Sequence, residues 1–154
     1  MNELHQEEEV KQKVLTQLFN VFQLLPSKSL YLAKLWFKNH PGISWTTLAT
    51  LLNSGDVKLK NGSFHDILPD IDDLVDQMRG PLGLKIKDRR YRLRMYPQVN
   101  WLVETQNTTK DKALWLGQIL VNRGIIHHVL DEHHFEDGYF FYRFYEDDPK
   151  LPVS

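Results

Sequence analysis

The stretch from Gly124 to Phe144 constrains this chain more than any other part of it. Two β-type runs, Ile125–Leu130 and Tyr139–Phe144, flank a polar connection rich in His, Asp and Glu. The second run is almost wholly aromatic, a composition that fits a pleated, half-buried surface. It follows Asp137-Gly138, a dipeptide that favours a tight turn. Upstream, Asp111–Arg123 has the apolar spacing of an amphipathic helix, and Gly124 is its stop signal. Asn107-Thr108-Thr109 offers caps for the start of that helix.

Helix, glycine, strand, turn and aromatic strand, in that order, are the ending of a winged helix. The first half carries a related pattern. Glu3–Leu25 reads as a helix with an apolar stripe of Val14, Leu15, Leu18, Val21, Phe22 and Leu25, ended by Pro26. Ser29–Asn39 reads as a second helix, closed by His40-Pro41-Gly42. Ser44 is the expected N-cap of a third, over Trp45–Leu52. Asp56–Lys60 and Ser63–Ile67 flank Asn61-Gly62, a strong hairpin signal. The expected fold class is therefore α+β, with a helical, winged-helix-like region over residues 1–70 and a winged helix over 71–154. Between them, Ile71–Met78 is predicted to be a short helix and Leu84–Tyr91 another. Leu93–Tyr96 is predicted to run extended up to Pro97, and Val99–Thr105 to be a helix with Trp101 and Leu102 facing in.

Composition narrows the functional classes. The chain has no cysteine, which removes disulfides, thiolate nucleophiles and Cys-based zinc sites. It fits a reducing cytoplasm. No apolar run reaches membrane-spanning length, and the N-terminus lacks a signal-peptide pattern. The net charge of −1 conceals segregation, because between Arg79 and Arg94 seven cations stand against Asp88 alone, a local +6. Acid gathers at Glu7-Glu8-Glu9, Glu136-Asp137 and Glu146-Asp147-Asp148. A basic patch on a nearly neutral chain implies an anionic partner surface.

The run from Met78 through Pro97, with Gly80-Pro81-Leu82-Gly83 followed by Lys87-Asp88-Arg89-Arg90-Tyr91-Arg92-Leu93, resembles the opening of a DEP domain, the module of Dishevelled, Egl-10 and Pleckstrin. Val99-Asn100-Trp101-Leu102 is similar to the Val-Asp-Trp-Leu helix of that family. Ala113–Leu120 with Arg123–Val129 resembles its third helix and first wing strand, and Phe135–Phe144 its closing strand. The resemblance covers residues 71–145, and the unbroken basic run is most similar to bacterial members. One departure stands out: the Phe-x-Gly-Ser/Thr stretch that usually precedes the Val-Asp-Trp-Leu helix is missing, which implies a shortened arm. What the resemblance implies is recruitment to membranes, anionic lipids or signalling partners, without catalytic residues and without a cofactor.

On that reading, Lys85, Lys87, Arg89, Arg90, Arg92 and Arg94 are the expected contact for anionic lipid head groups or the acidic face of a signalling protein. The competing explanation is a solvated face with internal ion pairs. His127, His128, His133 and His134, with Asp131 and Glu132, invite a metal site. Adjacent residues of a strand point to opposite faces, so His127 and His128 do not suit one ion. His128 matches the family's habitual histidine and reads as structural, and no metal is expected. A pH-sensitive wing through His127, His133 and His134 is the preferred alternative. Arg143 reads as structural, stacked on aromatic rings or paired with a carboxylate. No phosphate loop, nucleophile elbow or His-Glu-x-x-His motif is present, so no enzyme is expected. DNA binding is the first rival, because winged helices read DNA. Against it, the Asp111–Arg123 helix offers only Lys112 and Arg123 as cations. The second rival is homotypic assembly, a homodimer through the N-terminal helices. The expected location is the cytoplasm, with peripheral membrane association as its extension.

Overall fold

The computed structural model describes residues 3–84, 86–87, 92–128, 134–136 and 141–147. The chain divides into two compact units, Met1–Pro69 and Asp70–Ser154. The fold class is α+β.

The first unit is three helices closed by a hairpin. Helix α1 (Glu3–Phe22) packs on α2 (Pro26–Lys38) and α3 (Trp45–Ser54). Helix α1 stops earlier than its apolar spacing predicts. Gln23 takes a left-handed φ of 60°, and the N–H groups of Gln23 and Leu24 return to the carbonyls of Phe19 and Leu18. This capping turn ends the helix before Pro26. Pro26 instead opens α2, where a missing N–H costs nothing. Only Val14, Leu15 and Leu18 of the expected stripe are buried; Val21, Phe22 and Leu25 are 62%, 52% and 61% exposed.

Both ends of α3 are fastened. Ser44 Oγ accepts from the Thr47 N–H at 3.3 Å, and Glu7 on α1 accepts from the Trp45 N–H at 2.8 Å and the Thr46 hydroxyl at 2.6 Å. These acceptors take donors that a helix N-terminus cannot pair by itself. Gly55 closes the other end at φ 82°. The hairpin of β1 (Val57–Lys60) and β2 (Ser63–Asp66) turns at Asn61 and Gly62, both left-handed at φ 53° and 75°. That is the geometry an Asn-Gly turn supplies, and it pairs Lys60 with Ser63. The core is Leu32, Ala33, Trp36, Leu48, Leu51 and Val57 with the buried part of α1.

The second unit is a winged helix. Helix α4 (Ile71–Arg79) is capped by Asp70, whose side chain accepts from the Asp73 N–H at 3.0 Å. Strands β3 (Ile86–Lys87), β4 (Arg92–Arg94), β6 (Phe141–Phe144) and β5 (Ile126–His128) form one antiparallel sheet in the order β3-β4-β6-β5. Between β4 and β5 lie α5 (Met95–Thr105) and α6 (Lys110–Asn122). Thr109 caps α6 through the Lys112 N–H at 3.2 Å, and Gly124 follows it at φ 70°. A single 3-10 turn, Tyr145–Asp147, follows β6.

Two expectations are corrected here. The helix predicted over Leu84–Tyr91 is not formed, because Ile86 and Lys87 are strand, paired with Leu93 and Arg92. The sequence alternates apolar and basic residues on both sides of this hairpin, a period of two that suits a strand. Helix α5 starts at Met95, so Tyr96 and Pro97 fall in its first turn and not in an extended segment. Pro97 is tolerated there because the first N–H groups of a helix have no partner within it.

The core of this unit is Leu74, Met78, Leu102, Trp115, Leu116, Leu120, Ile126, Tyr142 and Phe144. Leu102 is buried as expected, whereas Trp101 is only half-buried and its indole donates to the Leu82 carbonyl at 3.2 Å. Among the described residues, no helix is long and apolar enough to cross a membrane.

Candidate binding surface

The basic run is carried by the β3–β4 edge of the sheet. Lys87 is on β3 and Arg92 and Arg94 are on β4, whereas Lys85, Arg89 and Arg90 lie outside the described residues. The register sets Lys87 opposite Arg92, Arg92 opposite Arg143, and Arg143 opposite His127. One row across all four strands therefore holds three cations and a histidine. The neighbouring row holds Ile86, Leu93, Tyr142 and His128. Alternating rows of a sheet belong to opposite faces.

Arg143, expected to be structural among the aromatics, is joined by strand pairing to the basic run. Arg143 lies 49 positions after Arg94. Only the pairing of β4 with β6 brings the two segments side by side, and no local signal announces that pairing.

The histidines divide as the strand period requires. His127 is buried against the Tyr145 ring, with centroids 4.2 Å apart, and His128 meets Tyr142 edge-on at 5.6 Å. His134 Nε2 lies 2.9 Å from Glu136 Oε1, both half-exposed. His133 lies outside the described residues, as do Asp131 and Glu132. Among the described residues, no group of three or more His, Asp or Glu is arranged to hold a metal ion.

Two further features flank the sheet. A cleft of about 460 Å³ between α4 and the ends of β5 and β6 is rimmed by Asp72, Asp76 and Glu146 over Val75, Ile125 and Phe144. The Arg79 guanidinium lies 4.5 Å from the centre of the Phe144 ring, a cation–π contact. The acidic rim is opposite in sign to the β3–β4 row. Helix α6, the element that reads the major groove in DNA-binding winged helices, is largely sunk in the core: Ala113, Trp115, Leu116, Gln118, Ile119 and Leu120 are all buried.

A two-stranded arm, two helices and a closing strand that returns to pair with the arm define this unit as a winged helix. Residues 83–144, most of this unit, match the family described as the domain found in Dishevelled, Egl-10, and Pleckstrin, the DEP domain. The chain is similar to the phosphatidylinositol 3,4,5-trisphosphate-dependent Rac exchanger 2 protein of Homo sapiens, 39% identical over 74 residues, 43% of this chain and 5% of that protein. It is also similar to the mouse Rac exchanger 1 protein, 42% identical over 71 residues, 41% of this chain and 4% of that protein. The vacuolar membrane-associated protein iml1 of Schizosaccharomyces pombe is 33% identical over 98 residues, 58% of this chain and 7% of that protein. The chain thus spans only 4% to 7% of the length of these relatives.

Proposed function

We propose that this chain is a non-enzymatic targeting module that binds an anionic membrane surface through Lys85, Lys87, Arg89, Arg90, Arg92 and Arg94. The observation that carries the reading is the row Lys87, Arg92 and Arg143 across three neighbouring strands. It joins the basic arm by strand pairing to a cation on the closing strand. Each Lys or Arg near an anionic leaflet contributes about 1 kcal/mol, so six or seven together suffice for reversible attachment. The names of the relatives support it: one group is described as dependent on an anionic inositol lipid, the other as associated with a vacuolar membrane. Cytoplasmic location with peripheral membrane association follows from the same reading. The acidic face of a signalling protein is the second reading, supported by the Rac exchangers' names.

The test is co-sedimentation of the purified chain with neutral and with phosphatidylserine-containing vesicles at low and physiological salt, with duplex DNA titrated in parallel. Binding to anionic vesicles alone, weakened by salt, is the expected result. No binding to anionic vesicles overturns the membrane reading and leaves the protein partner. Tight duplex binding with a steep salt slope would instead make the chain a winged-helix DNA regulator. A particle mass of two chains would favour assembly through the N-terminal helices.

A further inference from the structure

We infer that the turn Gly80–Gly83 is an insertion tip, with Leu82 entering the acyl boundary of an anionic bilayer and Trp101 at the base of the turn. The inference rests on the membrane reading above and names the part of the surface that goes beyond charge. Among the described residues, Leu82 is 92% exposed, whereas the other exposed large apolar residues range from 43% to 62%. A single exposed leucine is ordinary by itself. What separates this one is how the backbone beneath it is held.

The turn is rigidly built. The Gly83 N–H donates to the Gly80 carbonyl at 3.0 Å, and the Leu84 N–H returns to the Met78 carbonyl at 3.0 Å. A Cβ on Gly83 would collide with the carbonyls of Met78 and Gln77, so only glycine lets the chain pass so close to the end of α4. Trp101 Nε1 holds the Leu82 carbonyl at 3.2 Å. Leucine is therefore displayed in advance of any partner, and docking costs little ordering entropy.

The same bonds suit the turn to lipid. A backbone polar group that is already paired costs less to bring toward hydrocarbon. Here the Gly80 carbonyl, the Leu82 carbonyl and the Gly83 N–H are paired within the fold, and Pro81 has no N–H to desolvate. Trp101 presents a partly exposed indole, a side chain that prefers the membrane–water boundary. Exposed Arg79 precedes the turn, and in the sequence the basic run begins at Lys85. Ile86 lies four positions after Leu82, so the tip stands within about 14 Å of the start of β3. An apolar tip beside a cationic strip fits an anionic bilayer, where each signal alone gives weak attachment and the two together hold.

The chain has no cysteine, so Leu82→Cys accepts a single environment-sensitive fluorophore. Phosphatidylcholine vesicles with and without phosphatidylserine are the probe, and brominated acyl chains the quencher. The expected result is a blue shift and quenching on anionic vesicles only, with Leu82→Ser lowering anionic-vesicle affinity about tenfold at an unchanged salt slope. Leu82 is almost wholly solvent-exposed, so both variants keep the fold, checked by circular dichroism. If the unsubstituted chain binds anionic vesicles but the label neither shifts nor quenches and Leu82→Ser binds as tightly, the tip is overturned and the targeting reading stands. If the unsubstituted chain does not bind anionic vesicles, both fall.

Discussion

The ring of Phe135 occupies the space where Gly117 would carry a Cβ. The next residue of α6 takes the backbone: Gln118 Oε1 accepts from the Phe135 N–H at 2.9 Å, while its Nε2 donates to Asn122 Oδ1 at 2.8 Å. Two consecutive residues of the buried helix thus seat the side chain and the main chain of one wing residue. Gly117→Ala should lower the stability of this unit by about 1–3 kcal/mol through overpacking. This loss outweighs the gain of about 1 kcal/mol from replacing glycine in a helix interior. Urea denaturation checks it, and equal or greater stability of the variant would show that the ring can yield.

In the first unit, Asp66 ties the hairpin to α2. Its two oxygens lie 2.8 Å from Trp36 Nε1 and 2.9 Å from His40 Nε2, and His40 Nδ1 lies 2.8 Å from the Trp36 carbonyl. Trp36 and His40 are buried and stacked with centroids 4.0 Å apart. Asp66→Ala leaves two buried ring nitrogens without this partner and should cost about 2–3 kcal/mol. Asp66→Asn should cost less. Its amide oxygen still accepts from Trp36, and its amide N–H can donate to Nε2 while Nδ1–H donates to the Trp36 carbonyl. The two midpoints in a denaturant titration decide it.

Burial pushes the Tyr142 hydroxyl above the usual phenol range, and that hydroxyl donates to the His134 carbonyl. The folded state therefore holds its proton at pH values where the unfolded chain has released it. Stability from this group is fully present below about pH 10 and is lost as pH rises beyond it. Tyr142→Phe lacks that slope. At pH 7 the variant should be less stable by about 1 kcal/mol for the missing hydrogen bond. As pH rises above 10 the difference should shrink and then reverse. Denaturation at pH 7, 9.5 and 11 reads the sign directly.

Reversing charge at Arg89, Arg90 and Arg92 to Glu should lower anionic-vesicle affinity by more than about a hundredfold without unfolding the protein. Co-sedimentation gives the affinity and circular dichroism the fold. Unchanged vesicle binding after that reversal would remove the basic run from the contact.

Much of the local architecture was legible in the residues alone. Asn61-Gly62 announced the hairpin, Ser44 and Thr109 cap α3 and α6, and the aromatic run that includes Phe141–Phe144 is a strand. The DEP resemblance rested on local motifs of the same kind and is matched at residues 83–144. These signals work because each is settled within a few residues: a cap satisfies an N–H two or three positions on, and a turn needs only its own φ angles. What tertiary structure alone decided is non-local. Ile86 and Lys87 are strand because Leu93 and Arg92 pair with them; Val21, Phe22 and Leu25 stay exposed although their spacing matches that of Val14, Leu15 and Leu18. Arg143 joins the basic row only because β6 pairs with β4. A residue's pattern states which conformations it can adopt at low cost, but which neighbour it meets depends on pairings between segments far apart in the chain, whose closure and packing energies no short stretch contains.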